Sequence, residues 1–160
     1  MVLKLKHLIL LIIVFSSLWI TGCSNETNKV GEGKENEFPP SMTGLIQINE
    51  TEYEMIVGNY KWVRKQGLET QVVQTDAASP YQIAQNVKAI ILEVSSNIKI
   101  DIEGNPEISV YLWNENGREK EVKVDKNQLS VPTSKGQYIY EVLAKWSNGE
   151  VSYTFVIEIR

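Results

Sequence analysis

Apolar and polar residues alternate through residues 137–160, on both sides of Asn148-Gly149. Alternation with a period of two indicates β-strands that bury one face. Asn-Gly between two such runs predicts a hairpin, because both residues tolerate the positive φ angles of a type I′ turn. With Asn148 and Gly149 as the loop, Trp146 pairs with Val151, and every further pair on that face is apolar or aromatic. The sequence therefore predicts a terminal hairpin with one core face.

Short strands with the same alternation are predicted upstream. Residues 98–102 alternate isoleucine with charged residues, and residues 107–114 place Val110 and Leu112 on one face. The one convincing helix start is Ser79-Pro80-Tyr81-Gln82, where a serine N-cap, a proline and a glutamine form a capping box. We expect an all-β, antiparallel β-sandwich of about seven to nine strands, with one short helix near residues 80–87.

The amino terminus has the pattern of a cleaved signal peptide over residues 1–22. Lys4 and Lys6 precede an apolar run at residues 8–20, which is too short to span a bilayer comfortably. The run ends shortly before Cys23, the only cysteine of the chain. A signal-anchor helix with an incidental buried cysteine is the alternative interpretation.

The motif Ile20-Thr21-Gly22-Cys23 resembles the lipobox of bacterial lipoproteins. The resemblance implies that Cys23 is diacylated, becomes the mature amino terminus and anchors the protein to the extracytoplasmic face of the cell membrane. Residues 23–43 are polar apart from a few positions and are predicted to form the lipidated cysteine and a disordered tether. Residues 44–160 are long enough for one β-sandwich domain with a sizeable core, without an internal disulfide.

Charge and residue content narrow the classes of function. The full chain carries a formal charge of −4, and the part after residue 22 carries −6 because Lys4 and Lys6 precede it. This acidity argues against nucleic-acid partners and against purely electrostatic membrane binding. The only histidine, His7, lies in the predicted signal peptide. We therefore predict no catalytic residue, no cofactor and no metal site, since triads and common zinc sites need imidazole or thiol groups.

The segment Gly136-Gln137-Tyr138-Ile139-Tyr140 resembles a strand of immunoglobulin and fibronectin type III domains that often has the pattern Gly-x-Tyr-x-Cys. The resemblance implies an immunoglobulin-like sandwich in which the Tyr138 hydroxyl bonds back to the chain before the corner. The mature domain also resembles small lipoproteins of low-GC Gram-positive bacteria without a known role, through Gly58-Asn59-Tyr60-Lys61-Trp62 and the terminal hairpin. That second resemblance implies a location and a fold, and it brings no catalytic residues.

Two aromatic residues are the candidate binding face. Tyr111 and Trp113 share the strand face opposite Val110 and Leu112, where no core role is predicted. Our hypothesis is that this face binds a partner protein, a peptide or a glycan, because aromatic side chains give a large rigid contact area and a polar handle. The alternative is that the amino-terminal strands or the short helix cover this face.

Glu141 is the carboxylate most surrounded by apolar residues, and we expect it to pair with Lys145 or with a group on a neighbouring strand. The predicted role of the protein is a non-catalytic binding or structural module of the cell envelope. The alternative function is a small hydrolase that acts on glycans with two carboxyl groups about 5–9 Å apart.

Overall fold

The computed structural model describes residues 37–94 and 96–160, which form two β-sheets and one short helix. The helix, α1, is Pro80–Ala84. The strands in chain order are β1 (Gly44–Ile48), β2 (Thr51–Glu54), β3 (Ile56–Gln66), β4 (Glu69–Thr75), β5 (Ile90–Leu92), β6 (Asn97–Ile102), β7 (Glu107–Asn114), β8 (Gly117–Val122), β9 (Gln128–Ser130), β10 (Gly136–Trp146) and β11 (Gly149–Ile159). The predicted all-β sandwich is confirmed, but these residues form 11 strands rather than seven to nine.

The strands divide into a small and a large sheet. The small sheet has the order β2-β1-β6-β9, and the large sheet has the order β4-β3-β11-β10-β7-β8, with β5 pairing in parallel to the end of β11. From β6 onward, β6 and β9 are neighbours in the small sheet, and β11, β10, β7 and β8 are neighbours in the large sheet. The extra strands come from the segment before residue 76, which adds β1 and β2 to one sheet and β3 and β4 to the other.

The terminal hairpin has the predicted faces but not the predicted register. Trp146 pairs with Gly149 and Ala144 with Val151, so the loop is Ser147-Asn148 and the pairing is displaced by two residues. A displacement of two keeps every side chain on its face, because the period of the strand is two. Gly149 does not have a positive φ angle. Instead, a Cβ atom at Gly149 would lie 2.2 Å from the ring of Trp62, so the glycine provides space for that indole.

The core lies between the two sheets and is built from the predicted strand faces. Tyr140 and Phe155 stack with ring centroids 4.8 Å apart, and Trp62 packs against Trp146 at 4.9 Å. The alternating isoleucines of β6 are buried, as are Val110 and Leu112 of β7. The Tyr138 hydroxyl donates to the Ser134 carbonyl over 2.9 Å, which confirms the predicted tyrosine corner.

Two further predictions concern the start of helix α1 and the segment before β1. Helix α1 has the predicted capping box: the Ser79 hydroxyl accepts from the Gln82 amide, and the Gln82 side chain accepts from the Ser79 amide. Before β1, Phe38 and Met42 pack against the core cluster, although both belong to the segment predicted as tether. The predicted signal peptide, Cys23 and most of the predicted tether lie outside the described residues.

Candidate functional site

A polar groove lies on the outer face of the large sheet, opposite the core. It encloses about 490 Å³. Its floor comes from the middle of β10 and β11, where Glu141, Leu143 and Ser152 point away from the core. One wall is the end of β4, including Gln74 and the following Asp76, and Arg118 at the start of β8 lines the other side.

Glu141 is the centre of the groove floor. The residue is 4% exposed and its carboxylate accepts four hydrogen bonds from three side chains. Arg118 donates through Nε to Oε2 over 2.7 Å and through Nη2 to Oε1 over 3.1 Å. Trp113 Nε1 donates to Oε2 over 2.7 Å, and the Ser152 hydroxyl donates to Oε1 over 2.9 Å. The buried charge is therefore both paired and hydrogen-bonded, as burial of a carboxylate requires.

Opposing effects act on the pKa of Glu141. Burial raises the pKa, whereas the hydrogen bonds from Arg118, Trp113 and Ser152 and the charge of Arg118 lower it, and the net result is a pKa below the usual value. The pKa of Arg118 is raised, chiefly by its hydrogen bond to Glu141. Glu141 is thus ionised at neutral pH, and both of its oxygens are occupied.

A β-bulge brings Arg118 to this position. Between β7 and β8 the register shifts after Leu112, which pairs with Lys120, so that Trp113 pairs with Arg118. A regular ladder would instead place Glu119 opposite Trp113. The extra residue of the bulge therefore exchanges a carboxylate for a guanidinium beside Glu141, which is one way in which bulges re-aim side chains.

The structure places both residues of the predicted binding face around Glu141. Tyr111 lies under the Arg118 guanidinium, whose carbon is 4.2 Å from the ring centroid. Trp113 bonds to Glu141 and packs against a small apolar cluster under helix α1, in which Ile139 and Val156 are buried. The alternative that the short helix covers this face holds for the half of the face around Trp113 and Ile139. Leu143 remains partly exposed on the groove floor.

Of the three residues that donate to Glu141, only Trp113 is predicted from the sequence as a site residue, and Arg118 and Ser152 are not. Glu141 bonds to a neighbouring strand as expected, but Lys145 is not its partner. Ser152 could have been suspected, because it lies on the mixed face of the hairpin close to Glu141. No feature of the sequence identifies Arg118, since its position depends on the bulge.

Several groove side chains are available for a ligand. Among the described residues, no hydrogen bond or ion pair engages the side chains of Lys61, Gln74, Asp76 or Glu150. The groove contains two cations, Lys61 and Arg118, and three carboxylates at Asp76, Glu141 and Glu150, so its formal charge is −1. This mixture of amide, ammonium and carboxylate groups suits a polar ligand that both donates and accepts hydrogen bonds.

Together the fold and the groove define a β-sandwich domain with a polar groove on the outer face of its larger sheet. Comparison with protein-family models gives no match, and comparison with curated proteins gives no significant relative. Within residues 37–94 and 96–160, no three histidine, cysteine or acidic side chains are grouped so that they could hold a metal ion. In the same part of the chain, the structure contains no helix of the length and apolarity needed to cross a membrane.

Proposed function

We propose that this protein is a lipid-anchored, extracytoplasmic binding module of the cell envelope, held to the membrane through Cys23. In this proposal the groove above Glu141 receives a polar segment of a partner protein, a peptide or a glycan. The observation that carries the proposal is the construction of the groove floor: four hydrogen bonds fix Glu141, Arg118 and Ser152 in place. Polar side chains on the walls remain available above this rigid floor, and rigidity of this kind lowers the entropic cost of binding.

The state of Glu141 favours binding over acid catalysis. Glycoside hydrolysis needs one carboxyl group that is protonated near neutral pH, which requires a raised pKa. The pKa of Glu141 is lowered, and donors from Arg118, Trp113 and Ser152 occupy both of its oxygens. The most buried carboxylate of the groove is therefore suited to hold the floor together rather than to give a proton to a substrate.

Site-specific crosslinking in intact cells tests the role of the groove. A photoreactive amino acid at Gln74 would lie on the groove wall, whereas the same amino acid at Gln128 would lie on the exposed small sheet as a matched control. We expect a crosslinked product from position 74 and none from position 128. Leu143→Arg, which fills the groove from its floor, should abolish the product without lowering the melting temperature. Equal products at both positions, or products that persist with Leu143→Arg, would contradict a ligand in the groove.

The anchor is tested separately. Cys23→Ala should release the protein from membranes or leave the precursor uncleaved, and mass spectrometry of the wild-type amino terminus should find a diacylated cysteine. A processed, membrane-bound protein carrying Cys23→Ala would refute the lipid anchor and leave the groove proposal intact.

A further inference from the structure

The hairpin of β3 and β4 extends past its neighbours in the large sheet. Pairing of β3 with β11 ends at Trp62 and Gly149, followed by one hydrogen bond from the Val63 amide to the Asn148 carbonyl over 2.8 Å. Pairing of β3 with β4 continues to Gln66 and Glu69. Residues 64–71 therefore form a two-stranded ribbon, here called the β3–β4 ribbon, which has no neighbouring strand on either side among the described residues.

The tip of the ribbon combines an apolar residue with positive charge. Leu68 is fully exposed, with a relative accessibility of 107%. Two cations, Arg64 and Lys65, and one anion, Glu69, give residues 64–69 a formal charge of +1, whereas the whole chain carries −4. A single exposed leucine is common on soluble proteins and would carry no argument alone. A second observation supports a role for this tip: the ribbon lies beside the point at which the amino-terminal segment enters the domain.

The chain enters the domain beside this ribbon. The ring of Phe38 lies under the Arg64 guanidinium, whose carbon is 4.5 Å from the ring centroid, and Phe38 packs against the core. Only the 14 residues 24–37 separate Phe38 from Cys23. A coil of that length spans about 20 Å on average and at most about 50 Å when fully extended. A lipid on Cys23 would therefore hold this end of the domain close to the bilayer.

We infer that the tip of the β3–β4 ribbon contacts the membrane surface to which the chain is anchored. Leu68 enters the interfacial region of the lipids and Lys65 lies against their phosphate groups, while the tether keeps the weak contact at high effective concentration. The inference rests on the proposed lipid anchor. It gives the domain an orientation: Gln74 is six residues beyond Leu68 along β4, so the groove wall stands about 20 Å from the ribbon tip. The groove would open sideways, clear of the lipid headgroups.

A fluorescence measurement on the full lipidated protein tests this orientation. In Gln66→Cys, a thiol-reactive fluorophore can be attached beside the intact Leu68, because Cys23 would be blocked by its lipid. Asn116→Cys is the control, because the β7–β8 turn lies at the opposite end of the same sheet. Both proteins are reconstituted into vesicles that contain lipids brominated near the headgroup, which quench only nearby fluorophores. We expect several-fold stronger quenching at position 66 than at position 116, and loss of that difference when Leu68→Ser is added.

Three other outcomes would each contradict the membrane contact, and each can be told apart from the others. Equal quenching at the two positions, with Cys23 shown by mass spectrometry to be lipidated, would overturn the membrane contact and leave the lipid anchor standing. Labelling of two thiols per chain would show an unmodified Cys23 and would overturn the anchor together with this inference. Efficient disulfide crosslinking of two Gln66→Cys chains through the introduced thiol, with no quenching, would assign the ribbon to a contact with a second copy and so overturn the inference as well.

Discussion

Replacement of Glu141 by glutamine tests whether the carboxylate holds the outer face of the large sheet together. In Glu141→Gln the amide oxygen can keep the bonds at Oε2, from Trp113 Nε1 and Arg118 Nε. The amide nitrogen then faces Arg118 Nη2, which is also a donor, although the Ser152 hydroxyl can turn to accept. The bond from Arg118 Nη2 is lost, the two bonds at Oε2 become bonds to a neutral acceptor, and the ion pair with Arg118 disappears.

The size of the expected loss of stability depends on how exposed Glu141 and Arg118 are. A hydrogen bond to a charged group contributes about 1.5–3 kcal/mol, but the Arg118 side chain is 44% exposed and water can replace part of the loss. We expect Glu141→Gln to lower the free energy of unfolding by about 2 kcal/mol, or the melting temperature by roughly 8 °C for a domain of this size. Arg118→Met should cost more, about 3 kcal/mol, because it leaves a buried carboxylate without its cation; this is the lower end of the range for buried pairs, since Arg118 is 44% exposed.

Chemical denaturation with Glu121→Gln as the control measures these values. Glu121 is exposed on β8, opposite Tyr111, and its replacement should change stability by less than about 0.5 kcal/mol. If Glu141→Gln proved as stable as Glu121→Gln, the account of the groove floor would be wrong.

The pH dependence of stability gives a second test of the same cluster. The folded-state pKa of Glu141 lies below the usual glutamate value of about 4.5. Its contribution to the free energy of unfolding is therefore complete above about pH 4.5 and is lost as the pH falls through the folded-state pKa. In Arg118→Met both the hydrogen bond and the charge of Arg118 are absent, so we expect the pKa of Glu141 to rise above its wild-type value. The stability difference between wild type and Arg118→Met should therefore be large at pH 7, and it should narrow as the pH falls from the folded-state pKa of Glu141 in the variant to the lower folded-state pKa in the wild type. A difference that stays constant down to pH 3 would contradict this mechanism.

Three further changes test other parts of the structure. Deletion of Glu119 should remove the bulge while keeping Arg118 opposite Trp113, so thermal melts should show a far smaller loss than for Arg118→Met; an equal loss would count against the bulge argument. Gly149→Ala should lower the free energy of unfolding by about 1–3 kcal/mol, because its Cβ would lie 2.2 Å from the Trp62 ring; unchanged stability would show that this ring is free to move. The buried Tyr153 hydroxyl has no hydrogen-bond partner among the described residues, so Tyr153→Phe should be neutral or stabilising by up to about 1 kcal/mol in denaturant titrations, and a clear destabilisation would reveal a hidden partner.

The faces of the strands were predictable from the sequence, whereas the register of the terminal hairpin was not. Alternation fixes which residues point inward, and the burial of Val142, Tyr153 and Phe155 agrees with it. A pairing displaced by two residues satisfies the same alternation, so alternation alone does not distinguish the two registers. Which register is predicted depends on which residues are taken to form the turn. The Asn-Gly pattern predicts Gly149 in the turn for its conformational freedom, whereas in the structure the absence of a side chain at Gly149 lets Trp62 pack closely. That contact joins β3 to β11, far apart in the chain, and local sequence patterns do not encode it.

The number of strands was underestimated for a related reason. Residues before 76 contribute β1 to β4, and these strands extend both sheets beyond the arrangement that the immunoglobulin resemblance implies. The resemblance rested on residues around Tyr138 and was accurate there, as the hydrogen bond from its hydroxyl shows. It held no information on strands that precede the resembling segment.

The outer face of the large sheet shows why the candidate site was only half predictable. Alternation marks Ile139, Glu141 and Leu143 as a mixed row on β10, with no sign of what lies above each residue. The structure divides that row at Glu141: helix α1 covers Ile139, and Leu143 stays partly exposed on the groove floor. The five-residue helix α1 covers the Ile139 end of the row, and the one-residue bulge between β7 and β8 places Arg118 beside Glu141. Because the bulge selects Arg118 over Glu119 as the neighbour of Glu141, it turns what would be repulsion between two carboxylates into the ion pair on which the groove floor rests.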